Sequence, residues 1–279
     1  MEDLLSKTRE ICRLVGINPK RSKGQNFLIN ERIYNDVIKA ADLKKTDEIL
    51  EVGPGLGFLT VKLKKEVKRV VAVELDDELA NYLKIGFSAS NEDKVKVVNL
   101  DILKFNLREE FPKNYKIVAN LPYNITSIFL RMVLSGNCRP ELLVLMLQKE
   151  VAERIVATAP DMSLLALSVQ YYADASVIKN VTAGNFWPEP KVESAIIKIV
   201  VHPEQHDAVI DKLFFRMAKA GFSAKRKMLK NNLAGGLKIE PEIIINTLDK
   251  IGLDKQVRAE NLNLADWHKL FAELSAFMV

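Results

Sequence analysis

The sequence predicts an α/β protein: a parallel sheet covered by helices on both faces, followed by a small helical piece. Three observations carry this. Short apolar runs alternate with helical stretches from residue 48 to 157, as in strands joined by helical crossovers. After Ser163 the texture changes, and two Ile- and Val-bearing stretches flank a proline-rich loop, which suits an antiparallel hairpin at the sheet edge. From His206 onward the pattern is helical.

In order along the chain, residues 2–15 read as a short amphipathic helix and 16–25 as a loop rich in Pro, Gly and Lys. Asn30 can cap a helix running to about Ala41. Strands follow at Glu48–Val52, Arg69–Glu74, Lys94–Asn99, Lys116–Asn120 and Leu142–Leu147. Between and after them lie helices at Gly57–Glu66, Asp77–Ile85, about Ile125–Leu134 and Lys149–Ala157. Residues 164–173 suit a helix, and Ser176–Thr182 and Ser194–Val201 suit the late strands, joined through Phe186 to Pro190. Helices are then expected at Asp211–Ala220, Lys225–Leu233, Pro241–Ile251 and Leu264–Phe277. The break near Pro203 divides residues 1–203, with an N-terminal extension 1–25, from a helical bundle at 204–279.

The bulk numbers exclude several classes. With 279 residues the chain can bury a sizeable core. Cys12 and Cys138 form no CxxC pair, so neither a zinc knot nor a disulfide scaffold is expected. His202 and His206 stand four apart, but Pro203 between them breaks a shared helical face, and no metal site is expected. No apolar run is long enough to span a membrane, and residues 1–15 carry charges rather than a secretory core. The expected compartment is the cytoplasm.

Asn120-Leu121-Pro122-Tyr123 is the most informative segment. It follows an apolar strand and precedes a helix, so it stands at the sheet edge where ligands bind in open α/β folds. An amide and a carbonyl can accept the hydrogens of an exocyclic amine, and the ring can stack on a flat heterocycle. That describes a pocket for an amino-bearing base. The plainer alternative is a strand-to-helix turn with a boundary proline.

A second site follows the first strand of the alternation. Ile49-Leu50-Glu51-Val52-Gly53-Pro54-Gly55-Leu56-Gly57 is a strand entering glycines, which let backbone pass close to a ligand. It is not the dinucleotide fingerprint GxGxxG, because Phe58 stands where the third glycine belongs. Glu74 ends the second strand and can accept from ribose hydroxyls; Asp101 follows the third and can accept from an adenine amine. Ribose and adenine without a diphosphate turn point to S-adenosylmethionine. Taken singly, either carboxylate is equally well a solvated strand-end charge.

With these residues in view, the chain resembles the ribosomal RNA adenine dimethyltransferases of the KsgA type. The likeness rests on Gln25-Asn26-Phe27-Leu28, the run Glu51–Thr60, Glu74, Asp101, Asn120–Tyr123 and Phe186-Trp-Pro-Glu-Pro-Lys-Val-Glu-Ser194, in family order. Gln148–Ala152 and Phe222–Leu229 extend it over nearly the whole chain. It departs at Leu164-Leu165-Ala166, where relatives usually carry Tyr-Gly. The resemblance implies a class I, Rossmann-like S-adenosylmethionine-dependent methyltransferase domain and a small all-helical C-terminal domain. It implies that Asn26, Leu28, Gly53, Glu74, Asp101 and Asn120 line the cofactor site, with Gln25 and Gly55 in the same motifs. It further implies transfer of two methyl groups to each of two adjacent adenines. They lie in a small-subunit rRNA hairpin near the 3′ end, within a pre-ribosomal particle.

The chemistry expected of the tetrapeptide is orientation. If the Asn120 oxygen and the Leu121 carbonyl accept the two N–H bonds of adenine N6, its lone pair can face the methyl group. Pro122 favours an extended Leu121 and adds no competing N–H. Tyr123 is placed to stack on the base, and on the resemblance Phe186 closes its other side; from the residues alone, a core aromatic beside Trp187 is the simpler reading of Phe186. Stacking is worth about 1–3 kcal/mol per base, enough to offset much of the cost of extracting one.

The net charge of +5 is clustered. Lys212, Arg216, Lys219, Lys225, Arg226, Lys227 and Lys230 fall in a stretch without an acid, the signature of a phosphate-binding surface. Lys20, Arg21 and Lys23 form a smaller patch. A solvated helix face is the alternative. With no apolar surface stripe, a monomer is expected. Two rival functions are weighed. A large-subunit adenine methyltransferase of the macrolide-resistance type differs in its glycine loop and tetrapeptide. A non-catalytic ribosome-assembly or transcription factor would have no need of intact Glu74, Asp101 and Asn120.

Overall fold

A computed structural model of the chain describes residues 3–19, 25–88, 94–122, 125–203 and 206–278. Tyr123 and the patch Lys20, Arg21 and Lys23 lie outside the described residues. Helix α1 (Leu4–Val15), strand β1 (Phe27–Leu28) and helix α2 (Glu31–Ala40) lead into the alternation. It runs β2 (Glu48–Val52), α3 (Phe58–Glu66), β3 (Arg69–Glu74), α4 (Asp77–Ser88), β4 (Val95–Asn99) and the short α5 (Leu107–Glu110). Then come β5 (Lys116–Asn120), α6 (Thr126–Ser135), β6 (Leu142–Gln148) and α7 (Lys149–Val156). After them stand α8 (Leu164–Gln170), β7 (Ala173–Val181), β8 (Phe186–Trp187) and β9 (Ser194–Val201). Four helices close the chain: α9 (Ala208–Gly221), α10 (Leu229–Leu237), α11 (Pro241–Lys250) and α12 (Leu264–Leu274).

Seven strands form one sheet in the order β4-β3-β2-β5-β6-β9-β7. The first five are parallel, and β9 and β7 are antiparallel additions. Strands β2, β3, β5 and β6 are buried along almost their whole length, because helices cover both faces of a parallel sheet. The chain moves outward from β2 to β3 and β4, then returns to the other side of β2 with β5 and β6. That reversal opens a crevice beyond the carboxyl ends of β2 and β5.

A second, two-stranded pairing joins distant segments. β1 and β8 are antiparallel, with Phe27 opposite Trp187 and Leu28 opposite Phe186. The Asn30 amide donates to the Asn185 side chain at 2.7 Å, and the Tyr34 hydroxyl donates to the Leu28 carbonyl at 2.9 Å. These bonds hold the Gln25–Leu28 segment above the sheet.

The chain divides into two compact units: 1–152 with 173–202, and 153–172 with 203–279. The division differs from a single cut at residue 203, because residues 153–172 join the second unit. Both tyrosine hydroxyls following α8, Tyr171 and Tyr172, donate to Asp211 on α9 at 2.8 Å. The Met162 N–H donates to the Glu260 carbonyl at 3.1 Å. Such long-range bonds leave no trace in composition. The departure at Leu164-Leu165-Ala166 forms the first turn of α8, where the Ser163 hydroxyl caps the Ala166 N–H.

Two elements shift from their expected spans. Strand β7 begins at Ala173 rather than Ser176, extended by pairing Ala173 with Val201. Helix α10 begins at Leu229 rather than Lys225. Lys225–Lys227 form a turn, whose Ala224 carbonyl accepts from the buried Asn232 amide at 3.0 Å. The helix continues through Gly235-Gly236, against propensity. A Cβ on Gly236 would stand 2.6 Å from the Ala220 Cβ, so the glycine permits close approach of α10 to α9. Among the described residues no helix is long and apolar enough to cross a membrane, and no group of three or more His, Cys, Asp or Glu is placed to hold a metal ion.

Candidate functional site

The glycine run after β2 needs its glycines. Gly53, Gly55 and Gly57 have φ of 65°, 58° and 79°, the left-handed region that side chains disfavour. The Gly53 N–H continues the ladder by donating to the Val73 carbonyl at 2.9 Å, and the Gly55 N–H turns to the Glu74 carboxylate at 3.1 Å. A Cβ on Gly55 would lie 3.2 Å from the Phe27 ring. The turn therefore passes directly beside the Gln25–Leu28 segment.

This turn, the ends of β3 and β5, and residues Leu100–Leu103 after β4 enclose a cavity of about 470 Å³, within the usual range for small-molecule sites. Gln25, Asn26, Leu28, Gly53, Gly55, Glu74, Asp101 and Asn120 all line it, as does Pro122. The polar wall is anionic. Glu51, Glu74, Asp76 and Asp101 contribute carboxyl groups, and among the described lining residues there is no lysine, arginine or histidine. A diphosphate ligand would find no basic side chain among the described lining residues, whereas a cationic ligand would meet carboxyl groups.

Glu74 is held from both ends. Its second oxygen accepts from the Asp76 N–H at 3.0 Å. Burial pushes its carboxyl above the usual range, against the Asp76 and Gly55 hydrogen bonds that favour the charged form. An ionised carboxylate offers about four lone-pair sites, so two bonds leave capacity for a ligand's hydroxyls. Asp101 caps the short turn Ile102–Lys104 by accepting from the Leu103 N–H at 3.0 Å.

At the end of β5, Asn120 and Pro122 face the cavity while the Leu121 side chain is buried in the core. The Leu121 N–H donates to the Met146 carbonyl at 3.2 Å, fixing the backbone between them. Gly53 stands against this segment: a Cβ there would lie 3.6 Å from the Asn120 carbonyl oxygen.

Phe186 stands apart from this lining. It is 3% exposed, belongs to the core cluster with Leu28, Tyr34 and Leu59, and is not on the cavity lining. In the β1–β8 pairing it stands opposite Leu28, with which it packs in that cluster.

Sequence reasoning passed over Glu51, Tyr34, Asp76 and Met146 as lining residues. Asp76 caps α4 through the Glu78 and Leu79 N–H groups and also accepts from the Gln25 amide at 3.2 Å. Glu51 had a signal: an acid inside an otherwise apolar buried strand. Burial pushes its carboxyl up to about 8; the Thr60 hydroxyl partly offsets this and the Glu74 charge adds to it. Burial and the charges of Glu51 and Glu31 also raise the Tyr34 hydroxyl.

In the second unit Lys212, Arg216 and Lys219 are exposed along α9 at spacings of a single helix face. Lys225, Arg226 and Lys227 are exposed in the turn before α10, and Lys230 is half-buried on it.

A family model described as ribosomal RNA adenine dimethylase matches residues 16–276. A ribosomal RNA small subunit methyltransferase A of Dehalococcoides mccartyi is 42% identical over 274 residues, covering 97% of this chain and 93% of its own. The crystal structure of a dimethyladenosine transferase from Plasmodium falciparum is similar with a TM-score of 0.78 at 27% identity, over 90% of this chain and 98% of that one. The crystal structure of the 23S rRNA methyltransferase ErmE has a TM-score of 0.73 at 24% identity, over 90% of this chain and 100% of that one, a likeness of fold alone.

Proposed function

This chain belongs to the ribosomal RNA adenine dimethylase family, and we propose that it dimethylates N6 of two adjacent adenines in the 3′-terminal hairpin of small-subunit rRNA, within a pre-ribosomal particle. It is an S-adenosylmethionine-dependent methyltransferase of the Rossmann-like α/β fold. The observation that carries the finer reading is the juxtaposition of Asn120 and Pro122 with an anionic cavity at the strand reversal.

The bound cofactor supplies a methyl group activated by a sulfonium. The protein's part is binding and orientation. On this reading Glu74 accepts from the ribose hydroxyls, Asp101 accepts from the adenine amine of the cofactor, and Gly53 and Gly55 let it approach the backbone. Asn120 and the Leu121 carbonyl accept the two N–H bonds of the target amine. The nitrogen is then free to pyramidalise toward the methyl carbon. No side-chain base is required before transfer, since the ammonium formed loses its proton readily. Tyr123, outside the described residues, is retained on sequence grounds as the stacking ring. Lys212, Arg216, Lys219, Lys225, Arg226, Lys227 and Lys230 grip phosphates and so position the RNA without selecting the base.

The test is incubation of immature small subunits with the protein and labelled S-adenosylmethionine, followed by mass spectrometry of rRNA fragments. Dimethyladenine at the 3′-terminal hairpin is expected. Label confined to large-subunit rRNA, or tight subunit binding with no label, would overturn the assignment.

A further inference from the structure

Helix α1 shares residues with the cavity wall. Ile11 and Cys12, with Ile17 just after the helix, form a small buried cluster with Phe27 of β1, Leu56 of the glycine turn and Leu79 of α4. Phe27, Leu56 and Leu79 also line the cavity, whereas Ile11, Cys12 and Ile17 do not. Two cations pin the rim of this joint. The Lys7 Nζ lies 5.9 Å from the centre of the Phe58 ring, and the Arg9 guanidinium 5.7 Å from that of Trp187. The rest of the attachment is side-chain packing. Among the described residues, the backbone hydrogen bonds of α1 stay within the helix and its caps. The cluster is distinct from the main core, which α1 touches through Leu4. The joint also carries a flaw. Thr8 on α1 is fully buried, and its hydroxyl has no hydrogen-bond partner. An unpaired buried hydroxyl disfavours the docked helix, because release would give it water.

We propose that α1 is a strap whose docking is coupled to occupancy of the cavity through Phe27, Leu56 and Leu79. This rests on the S-adenosylmethionine reading of the cavity and adds a mode of control to it. With α1 docked, the three side chains are backed from outside and present one surface to the ligand. With α1 released, they lose that backing. Phe27 packs on Gly55, the residue whose N–H donates to Glu74, so a loosened Phe27 is felt at the carboxylate assigned to the ribose. A ligand supports the same three side chains from within and favours the docked helix. The effect is reciprocal: the factor by which ligand strengthens docking is the factor by which docking strengthens ligand binding.

Cys12 reports docking directly. It is 3% exposed and lies off the cavity lining, so a ligand there cannot cover it. Burial also raises its thiol above the usual range, and both effects vanish when α1 is released. Cys138 is the internal control. It is half-buried, lies off the lining, and donates to the Phe111 carbonyl at 3.3 Å.

The test labels the full chain with iodoacetamide, with and without saturating S-adenosylhomocysteine, and follows each thiol by peptide mass spectrometry. The ligand should slow labelling of Cys12 about tenfold, within the usual range of coupling between sites, and leave Cys138 at its own rate. Thr8→Val removes the unpaired hydroxyl and should slow Cys12 labelling of the free protein about fivefold or more. Ile11→Ala, off the lining, should speed Cys12 labelling and weaken S-adenosylhomocysteine binding in calorimetry. An unchanged Cys12 rate with ligand bound, or equal slowing of both thiols, overturns the strap while leaving the cofactor reading intact. So does parental ligand affinity in an Ile11→Ala protein that labels faster. Failure of S-adenosylhomocysteine to bind would sink both. Should either variant not fold, the two-thiol comparison on the parent decides alone.

Discussion

The Glu74 carboxylate accepts a hydrogen bond from the Gly55 backbone N–H at 3.1 Å, so the end of β3 and the glycine turn after β2 are one unit. Gly55→Ala would disturb both partners. Its φ of 58° is unfavourable for alanine, and the new Cβ would press on Phe27 at 3.2 Å. A stability loss of roughly 1–2 kcal/mol is expected, with weaker S-adenosylhomocysteine binding. Urea unfolding and calorimetry check it; an unchanged midpoint together with parental affinity would contradict the coupling.

Glu74→Ala and Asn120→Ala should separate binding from chemistry. The first removes a carboxylate that takes charge-assisted hydrogen bonds, each worth roughly 1.5–3 kcal/mol, and should weaken cofactor affinity at least about tenfold. The second should slow single-turnover methyl transfer about a hundredfold, the scale for losing one oriented partner of a reacting group, with a smaller effect on affinity. Parental single-turnover rates in Asn120→Ala would refute the orientation of the amine.

Glu51 should make the protein less stable as pH rises. Its carboxyl ionises near 4.5 when unfolded and at about 8 when folded. Between those values the unfolded chain binds fewer protons, so unfolding becomes easier with increasing pH. Glu51→Gln should therefore gain stability relative to the parent between pH 5 and pH 8 in urea unfolding. A constant difference across that range would show that Glu51 does not titrate in this way.

Lys225→Glu combined with Arg226→Glu alters exposed turn positions. RNA binding should weaken and its slope against log salt should shrink by about two, one for each cation that no longer neutralises a phosphate. S-adenosylhomocysteine affinity should stay at the parental value. A salt slope equal to the parent's would remove these residues from the RNA surface.

The strands at β2, β3, β5 and β6 were legible because a strand buried on both faces is a continuous apolar run. Among the cavity-lining positions, Gly53, Gly55, Glu74 and Asp101 were legible as glycines and strand-end acids and Asn120 by its place at the end of β5, whereas Gln25, Asn26 and Leu28 entered through the resemblance. The pairing of β1 with β8 was not legible. Two residues carry no periodicity, and the partners are far apart in the chain, yet the pairing sets Phe186 opposite Leu28 in the core cluster. The acid at Glu51 was visible as an exception within its strand, but which face it served depends on α2 and α3 packing above it. The basic cluster was legible as composition. Its shape was not, because Lys225–Lys227, helix formers by propensity, make a turn ahead of α10.

The absence of any basic side chain among the described lining residues bears on turnover. Methyl transfer converts a sulfonium into a neutral thioether, so the spent ligand carries one positive charge fewer than the fresh one. Carboxyl groups at Glu74, Asp76 and Asp101 attract the incoming donor more strongly than its by-product. Each adenine needs two such exchanges, and the wall's own charge favours replacing used ligand with new.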